Sequence, residues 1–226
     1  MKFVGKLSKG EYILWALSAL AVTISFLVSG AGSWLNLVAS LVGVTALIFI
    51  ARGYPICHVF FVIFAILYAI ISYDLAYYGE MITYLGMSAP ACIVNLISWL
   101  RHPYADTAEV KVRKINKKHV LQTIIFTILV TIAFYFILKF LGTANIWVST
   151  LSVATSFLAS YLSFLRSPYY ALGYVLNDIV LVVLWSAALV YDFSYLSVVV
   201  LFSVFLINDV HGFISWQKME KRQNAN

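Results

Sequence analysis

YLSVVVLFSVFLINDVHGFISW, residues 195–216, opens as hydrocarbon and closes with an amide, a carboxylate and an imidazole at Asn208, Asp209 and His211. At 1.5 Å of helical rise per residue the run spans the ~30 Å apolar core of a bilayer. A carboxylate inside such a run costs at least ~2.5–3.5 kcal/mol on insertion scales, so it is expected to face a helix bundle or a water-filled cavity. Seven further apolar runs of similar length cover 12–29, 34–51, 54–73, 77–100, 120–141, 146–165 and 169–191. The composition agrees, with 63% hydrophobic and 11% charged residues among 226, against about 25% charged in soluble domains. The expected fold class is an all-α integral membrane protein of eight transmembrane helices. The polar stretch HPYADTAEVKVRKINKKH, 102–119, is too short to form a domain of its own.

Placement explains the net charge of +6. With a cytoplasmic N-terminus, Lys139 alone of the fifteen basic residues falls outside, while Asp74, Glu80 and Asp192 lie at the outer ends of spans. That is the positive-inside pattern, and it sets topology rather than a nucleic-acid partner. Both termini and the 101–119 loop are expected in the cytoplasm, in a bacterial inner or plasma membrane. The apolar run 12–29, followed by small residues at Ser29, Gly30 and Ala31, exceeds the usual signal-peptide core and is expected to be a retained first span. Cys57 and Cys92 lie within spans and carry no metal or redox spacing.

The chain also repeats itself. Ile97-Ser98-Trp99 ends one triple of spans and Ile214-Ser215-Trp216 ends another, 117 residues on. Arg52 with Arg166, Pro55 with Pro168, and Tyr73-Asp74 with Tyr191-Asp192 recur in the same order. Three spans leave the chain on the opposite side of the membrane, and a fourth, 120–141, returns it, so the triples are expected to be parallel repeats. The expected organisation is a peripheral N-terminal helix (1–33), a first repeat (34–100), a loop and connector helix (101–145), a second repeat (146–216) and a cytoplasmic tail (217–226).

Two carboxylates lie deep in spans, each preceded by asparagine, at Asn177-Asp178 and Asn208-Asp209. Asp178 sits roughly 13 Å, and Asp209 roughly 10 Å, from the cytoplasmic end of its helix. Helical spacing puts Asp209, Phe213 and Trp216 on one stripe and Tyr174, Asp178 and Trp185 on another. In the fourth span Tyr84, Ser88, Ala91, Asn95 and Ser98 form a polar stripe, with a kink expected near Pro90. Aromatic faces with amides and carboxylates suit a planar heterocycle carrying a hydroxylated sugar. The candidate binding set is Asn95, Trp99, Asn177, Asp178, Trp185, Asn208, Asp209, Phe213 and Trp216. Each has a structural alternative: Trp99 and Trp216 as interfacial belts, the asparagines as helix-to-helix bonds, and the carboxylates as a satisfied structural pair.

The stretches YYGEMITYLGMSAP (77–90), EVKVRK (109–114), YALGYVLNDIVLVVLW (170–185) and FLINDVHGFISW (205–216) resemble the PnuC family of bacterial transporters, over about residues 34–222. The resemblance implies a SWEET-like 3+1+3 core and uptake of nicotinamide riboside by facilitated diffusion. It also implies a cytoplasmic kinase that traps the nucleoside; relatives take thiamine, riboflavin or deoxynucleosides. The family's Trp-x-x-Trp pattern reads here as Leu96-x-x-Trp99 and Phe213-x-x-Trp216, leaving a plain nucleoside or another vitamin open. No H-E-x-x-H, paired histidines or Ser/His/Asp set points to an enzyme, a metal or a cofactor, and no P-loop points to ATP. Proton coupling through Asp178 or Asp209, a role as the substrate-binding membrane subunit of a larger complex, and homo-oligomerisation stay open.

Overall fold

The computed structural model describes residues 3–30, 33–74, 77–143 and 145–225; Ala31, in the candidate cleavage region, lies outside them. The described elements are α1 (Lys9–Ser29), α2 (Trp34–Ala51), α3 (Ile56–Asp74), α4 (Tyr78–Thr83), a π-helical turn (Tyr84–Ser88), α5 (Ala89–Leu100), α6 (Lys117–Phe140), α7 (Ile146–Phe164), α8 (Tyr170–Leu189), a 3₁₀ turn (Phe193–Tyr195) and α9 (Leu196–Ala225). Eight spans are long and apolar enough to cross a membrane, α4, the π turn and α5 counting as one. The protein is an all-α integral membrane protein, since only helices keep every backbone polar group paired in lipid.

Local chemistry sets several ends. Ser8 and Glu11 form a capping box at the start of α1, and Asn116 with His119 does the same for α6. The break expected near Pro90 falls one turn earlier. Pro90, in the first turn of α5, cannot donate to Gly86, and the backbone widens so that the Ala89 N–H reaches the carbonyl of Tyr84, five residues back.

Six spans close a ring in which α2 packs on α3, α3 on α5, α5 on α7, α7 on α8, α8 on α9, and α9 back on α2. Outside it, α1 lies against α9 and α2, and α6 mainly against α7. Thr123 and Leu138 are the buried residues of α6, so most of its surface faces lipid. Where α7 meets α8, a Cβ on Gly173 would lie 2.7 Å from the Cα of Ala159.

The turns that end α2 and α7 are copies. Gly53 (φ 66°) and Arg166 (φ 58°), 113 residues apart, both take the left-handed conformation. In one turn Gly53 donates to Ile50 and Tyr54 to Phe49; in the other Arg166 donates to Ser163 and Ser167 to Leu162, the Schellman pattern. The structural counterpart of Arg166 is therefore Gly53, not Arg52. The 101–116 connector holds both turns, Val110 donating to the carbonyl of Gly53 (2.9 Å) and Arg113 to that of Arg166 (3.0 Å).

Residues 217–225 of the tail are helical and form the end of α9. Gln223 accepts from the Val112 N–H (2.8 Å) and donates to the Val110 carbonyl (3.1 Å), while Arg222 pairs with Glu109. These bonds give the last turns of α9 a partner that hydrophobic periodicity does not reveal.

Gly173→Ala is expected to push α7 and α8 apart and destabilise the protein by about 1–3 kcal/mol. Gly10→Ala, with no atom within 4 Å of the added Cβ, should leave the melting temperature of the purified protein unchanged or slightly raised. Equal melting of the two variants would show that the contact is not tight.

Candidate functional site

A chamber of about 70 Å³ lies at the centre of the ring, between the two layers of rings described below. Asn177 and Asp178 reach it from α8, Asp209 from α9, and Ser156 and Ser160 from α7. Tyr84, Tyr174, Phe64 and Phe205 supply ring surface. Asp178 and Asp209 are each 2% exposed, and none of the lining residues is basic. The Asp178 and Asp209 side chains interact with each other, and no hydroxyl, amide or basic group of the described residues is bonded to Oδ2 of Asp178. Asn177 is oriented through its carbonyl oxygen, which accepts from Ser156 (2.8 Å), Thr155 (3.0 Å) and Ser152 (3.5 Å). Its oxygen is thus committed to α7 where the side chain lines the chamber.

On the side of the 101–116 connector the chamber is closed by indoles. Trp99 donates from Nε1 to the carbonyl of Ser163 (2.9 Å), and Trp216 from Nε1 to the carbonyl of Ile50 (2.8 Å). Each thus reaches from the last helix of one triple to the final turn of the first helix in the other. The two rings lie 5.3 Å apart, with His58 edge-on to Trp99 at 4.4 Å and Tyr170 edge-on to Trp216 at 4.9 Å. All four side chains are buried.

On the other side a second aromatic layer separates the chamber from an open vestibule of about 700 Å³. Tyr68 and Tyr84 are 4.4 Å apart, and Trp185 packs against Tyr77 (5.1 Å) and Tyr195 (5.5 Å). Glu80 lines the vestibule yet is 5% exposed. Its carboxylate is thus tucked into the protein and does not decorate the outer surface.

Of the nine candidate residues, Asn177, Asp178 and Asp209 meet in the chamber. Asn95 instead donates to the carbonyl (3.3 Å) and hydroxyl (3.4 Å) of Ser160, tying α5 to α7. Trp99 and Trp216 form the closure below, and Trp185 belongs to the layer above. Asn208 turns away, donating to Ser18 Oγ of α1 (2.9 Å) and to the Val204 carbonyl (2.8 Å), because neighbours on a helix point about 100° apart. Phe213, half-buried, lies a turn closer to the connector, its ring 6.5 Å from Tyr169. The serines of α7 went unnoticed in the sequence, although Ser149, Ser152, Ser156, Ser160 and Ser163 recur at helical spacing. Phe64 and Phe205 carry no such signal.

A family model described as nicotinamide mononucleotide transporter matches residues 33–218. The chain belongs to the PnuC family of membrane transporters. The nicotinamide riboside transporter PnuC of Neisseria mucosa is 29% identical over 218 residues, covering 94% of this chain and 82% of that protein. That of Haemophilus influenzae is 22% identical over 214 residues, covering 94% and 92%. A solved structure, the crystal structure of the vitamin B3 transporter PnuC, superposes with a TM-score of 0.84 at 26% identity, covering 97% of this chain and 95% of that one. As a PnuC-family member the chain is a multi-pass membrane transporter and not an enzyme.

Within this PnuC-family fold the tryptophans should matter first to stability. Trp99→Phe and Trp216→Phe each remove one indole N–H donor, and each is expected to cost about 0.5–1.5 kcal/mol. Because the rings touch, the double variant should depart from additivity. Thermal melting of the three purified variants tests this; unchanged melting in both single variants would remove the indole bonds from the scaffold.

Proposed function

We propose that this protein carries nicotinamide riboside across the cytoplasmic membrane by facilitated diffusion, with phosphorylation by a cytoplasmic kinase holding the product inside. The observation that carries this reading is the pair of buried carboxylates, Asp178 and Asp209, in a chamber lined by no basic residue. The nicotinamide ring of the riboside is a pyridinium cation, and in a low-dielectric chamber a carboxylate beside it favours it. Ring surface at Tyr84, Tyr174, Phe64 or Phe205 suits the aromatic cation, and Asn177 with Ser156 and Ser160 suits ribose hydroxyls. A mononucleotide would bring a phosphate against the carboxylates with no cation to receive it, which favours the riboside.

Small-molecule sites usually measure ~300–1,000 Å³, so a chamber of about 70 Å³ has to widen to take a nucleoside. Closure by the indoles on one side and the Tyr68, Tyr84 and Trp185 layer on the other fits an occluded conformer of an alternating-access cycle. The matched turns at Gly53 and Arg166, and the reciprocal tryptophan bonds, support a SWEET-like core of two parallel repeats, 34–100 and 146–216, joined by α6. In this reading α1 is an addition outside the ring. The connector and both termini face the cytoplasm, as the basic residues indicate.

Counterflow of labelled nicotinamide riboside into proteoliposomes should proceed without an ion gradient. Accumulation that requires an imposed proton gradient would make the carboxylates coupling groups and overturn facilitated diffusion. Asp178→Asn and Asp209→Asn each remove a charge-assisted contact of ~1.5–3 kcal/mol, so binding should weaken about tenfold to a hundredfold. An analogue with an uncharged ring should lose much less. Equal losses for the two ligands would mean that the carboxylates do not recognise the ring charge.

Orientation is tested separately. Cysteines placed at the exposed positions Asp106 and Asn224 should resist an impermeant thiol reagent in intact cells, whereas one at Tyr191, 90% exposed on the vestibule side, should be labelled. The native Cys57 and Cys92 are buried and should stay silent. The reverse pattern would invert the map.

A further inference from the structure

Arg166 is a buried arginine, 8% exposed, with no ion-pair partner among the described residues. Its Nε donates to the Lys111 carbonyl (3.2 Å) and its Nη1 to Ser98 Oγ (3.2 Å). Nη1 also lies 2.8 Å from Nδ1 of His102, which is itself 2.8 Å from the Ser98 carbonyl. Nη2 has no protein acceptor among the described residues, and none of their ion pairs involves Arg166, Arg101 or Arg113. Burial, and then the charge of Arg113, hold the Arg166 guanidinium below its ordinary pKa. The residue is also held in the left-handed region, φ 58°, where its counterpart in the other half is Gly53. A buried, unneutralised charge on a strained backbone marks a place where function rather than packing chose the side chain.

Around Arg166 lies a cavity of about 310 Å³, lined by Arg101, His102 and Arg113 on its polar side and by Val94, Ile97 and Phe164 on its apolar side. Arg101 and Arg113 are exposed, as are Val94 (50%) and Ile97 (44%) on the membrane face of α5. A second cavity, about 460 Å³, continues from Val94 and Phe164 up the groove between α5, α6 and α7, over Pro90, Val130, Phe134 and Phe157. Three arginines therefore sit at the membrane-surface end of an apolar groove of membrane depth.

We propose that this composite site binds an anionic phospholipid, its phosphate held by Arg166, Arg101 and Arg113 and an acyl chain lying in the groove between α5 and α7. A cluster of arginines matches the bidentate geometry of phosphate oxygens, and basic pockets beside membrane helices receive acidic head groups. The continuous groove selects a lipid over a water-soluble phosphate, which would leave the apolar half empty. The arginine end of the site shares no lining residue with the carboxylate chamber, so the proposal does not depend on which substrate is transported.

The test uses the full chain purified in detergent and stripped of lipid, with dioleoyl phosphatidylglycerol, dioleoyl phosphatidylcholine or glycerol 3-phosphate added back. Phosphatidylglycerol should raise the melting temperature and remain as about one adduct per chain in native mass spectrometry, with phosphatidylcholine at least about tenfold weaker. Arg101→Gln with Arg113→Gln should weaken phosphatidylglycerol retention about tenfold or more, and Val94→Phe, which fills the junction, should weaken it with all charges intact. Lys218→Gln with Lys221→Gln, an equal charge change at exposed positions outside the cavity, should leave retention unchanged. Equal retention of the two lipids, equal protection by glycerol 3-phosphate, or indifference to the arginine pair would each overturn the proposal; the second outcome would make this a site for a free phosphate ester.

Discussion

Two indole N–H groups, Trp99 to the Ser163 carbonyl and Trp216 to the Ile50 carbonyl, join the two triples of helices by the same contact made in opposite directions. Lipid offers no hydrophobic gain for pressing one apolar helix against another, so helices in a bilayer hold together through close packing and directed polar bonds. The carbonyls of Ile50 and Ser163 already accept from Gly53 and Arg166 in the turns that end α2 and α7. Each oxygen has a second lone pair, and an indole from the facing triple takes it and brings a large flat surface with it. Because both bonds converge on one layer, with His58 and Tyr170 edge-on, the contact that joins the halves also closes the central chamber.

The chamber follows the same economy of polar groups. Serines on α7 fix the carbonyl oxygen of Asn177, while Asp178 and Asp209 bring carboxyl groups to a volume lined by no basic residue. Such an arrangement is poorly satisfied without a ligand, and polar groups left short of partners at membrane depth are the usual mark of a transport path. The two aromatic layers differ in character. One is tied down by hydrogen bonds to backbone; the other, at Trp185, has an indole nitrogen with no partner and borders an open vestibule.

The connector is more than a link between spans. Its backbone pairs with the turn after α2, the turn after α7 and the last turn of α9, so residues 110–113 touch both triples. Arg166 stands at the point where the connector, α5 and α7 meet, and lines the cavity there rather than the chamber.

Much of the fold is legible in the sequence because bilayer thickness imposes a length and a composition on every span. All eight segments therefore appear as apolar runs, with ends matching the spans to within three residues except where α9 continues to Ala225. Depth was legible too: Asn177, Asp178 and Asp209 were identified as candidates by the cost of placing a carboxylate or amide in hydrocarbon. Direction was not. Asn208 and Asp209 are neighbours with the same apparent claim on the cavity, yet one faces α1 and the other the chamber, and only the packing of α9 between those surfaces decides which. Trp99 and Trp216 read as stacking platforms or interfacial belts, whereas tertiary structure turns both toward backbone carbonyls more than sixty residues away. The left-handed turn at Arg166 and the continuation of α9 beyond Trp216 likewise rest on hydrogen bonds to the connector. Length and apolarity are properties a single segment carries, while facing and hydrogen-bond partners belong to pairs of segments and come into being only when the helices pack.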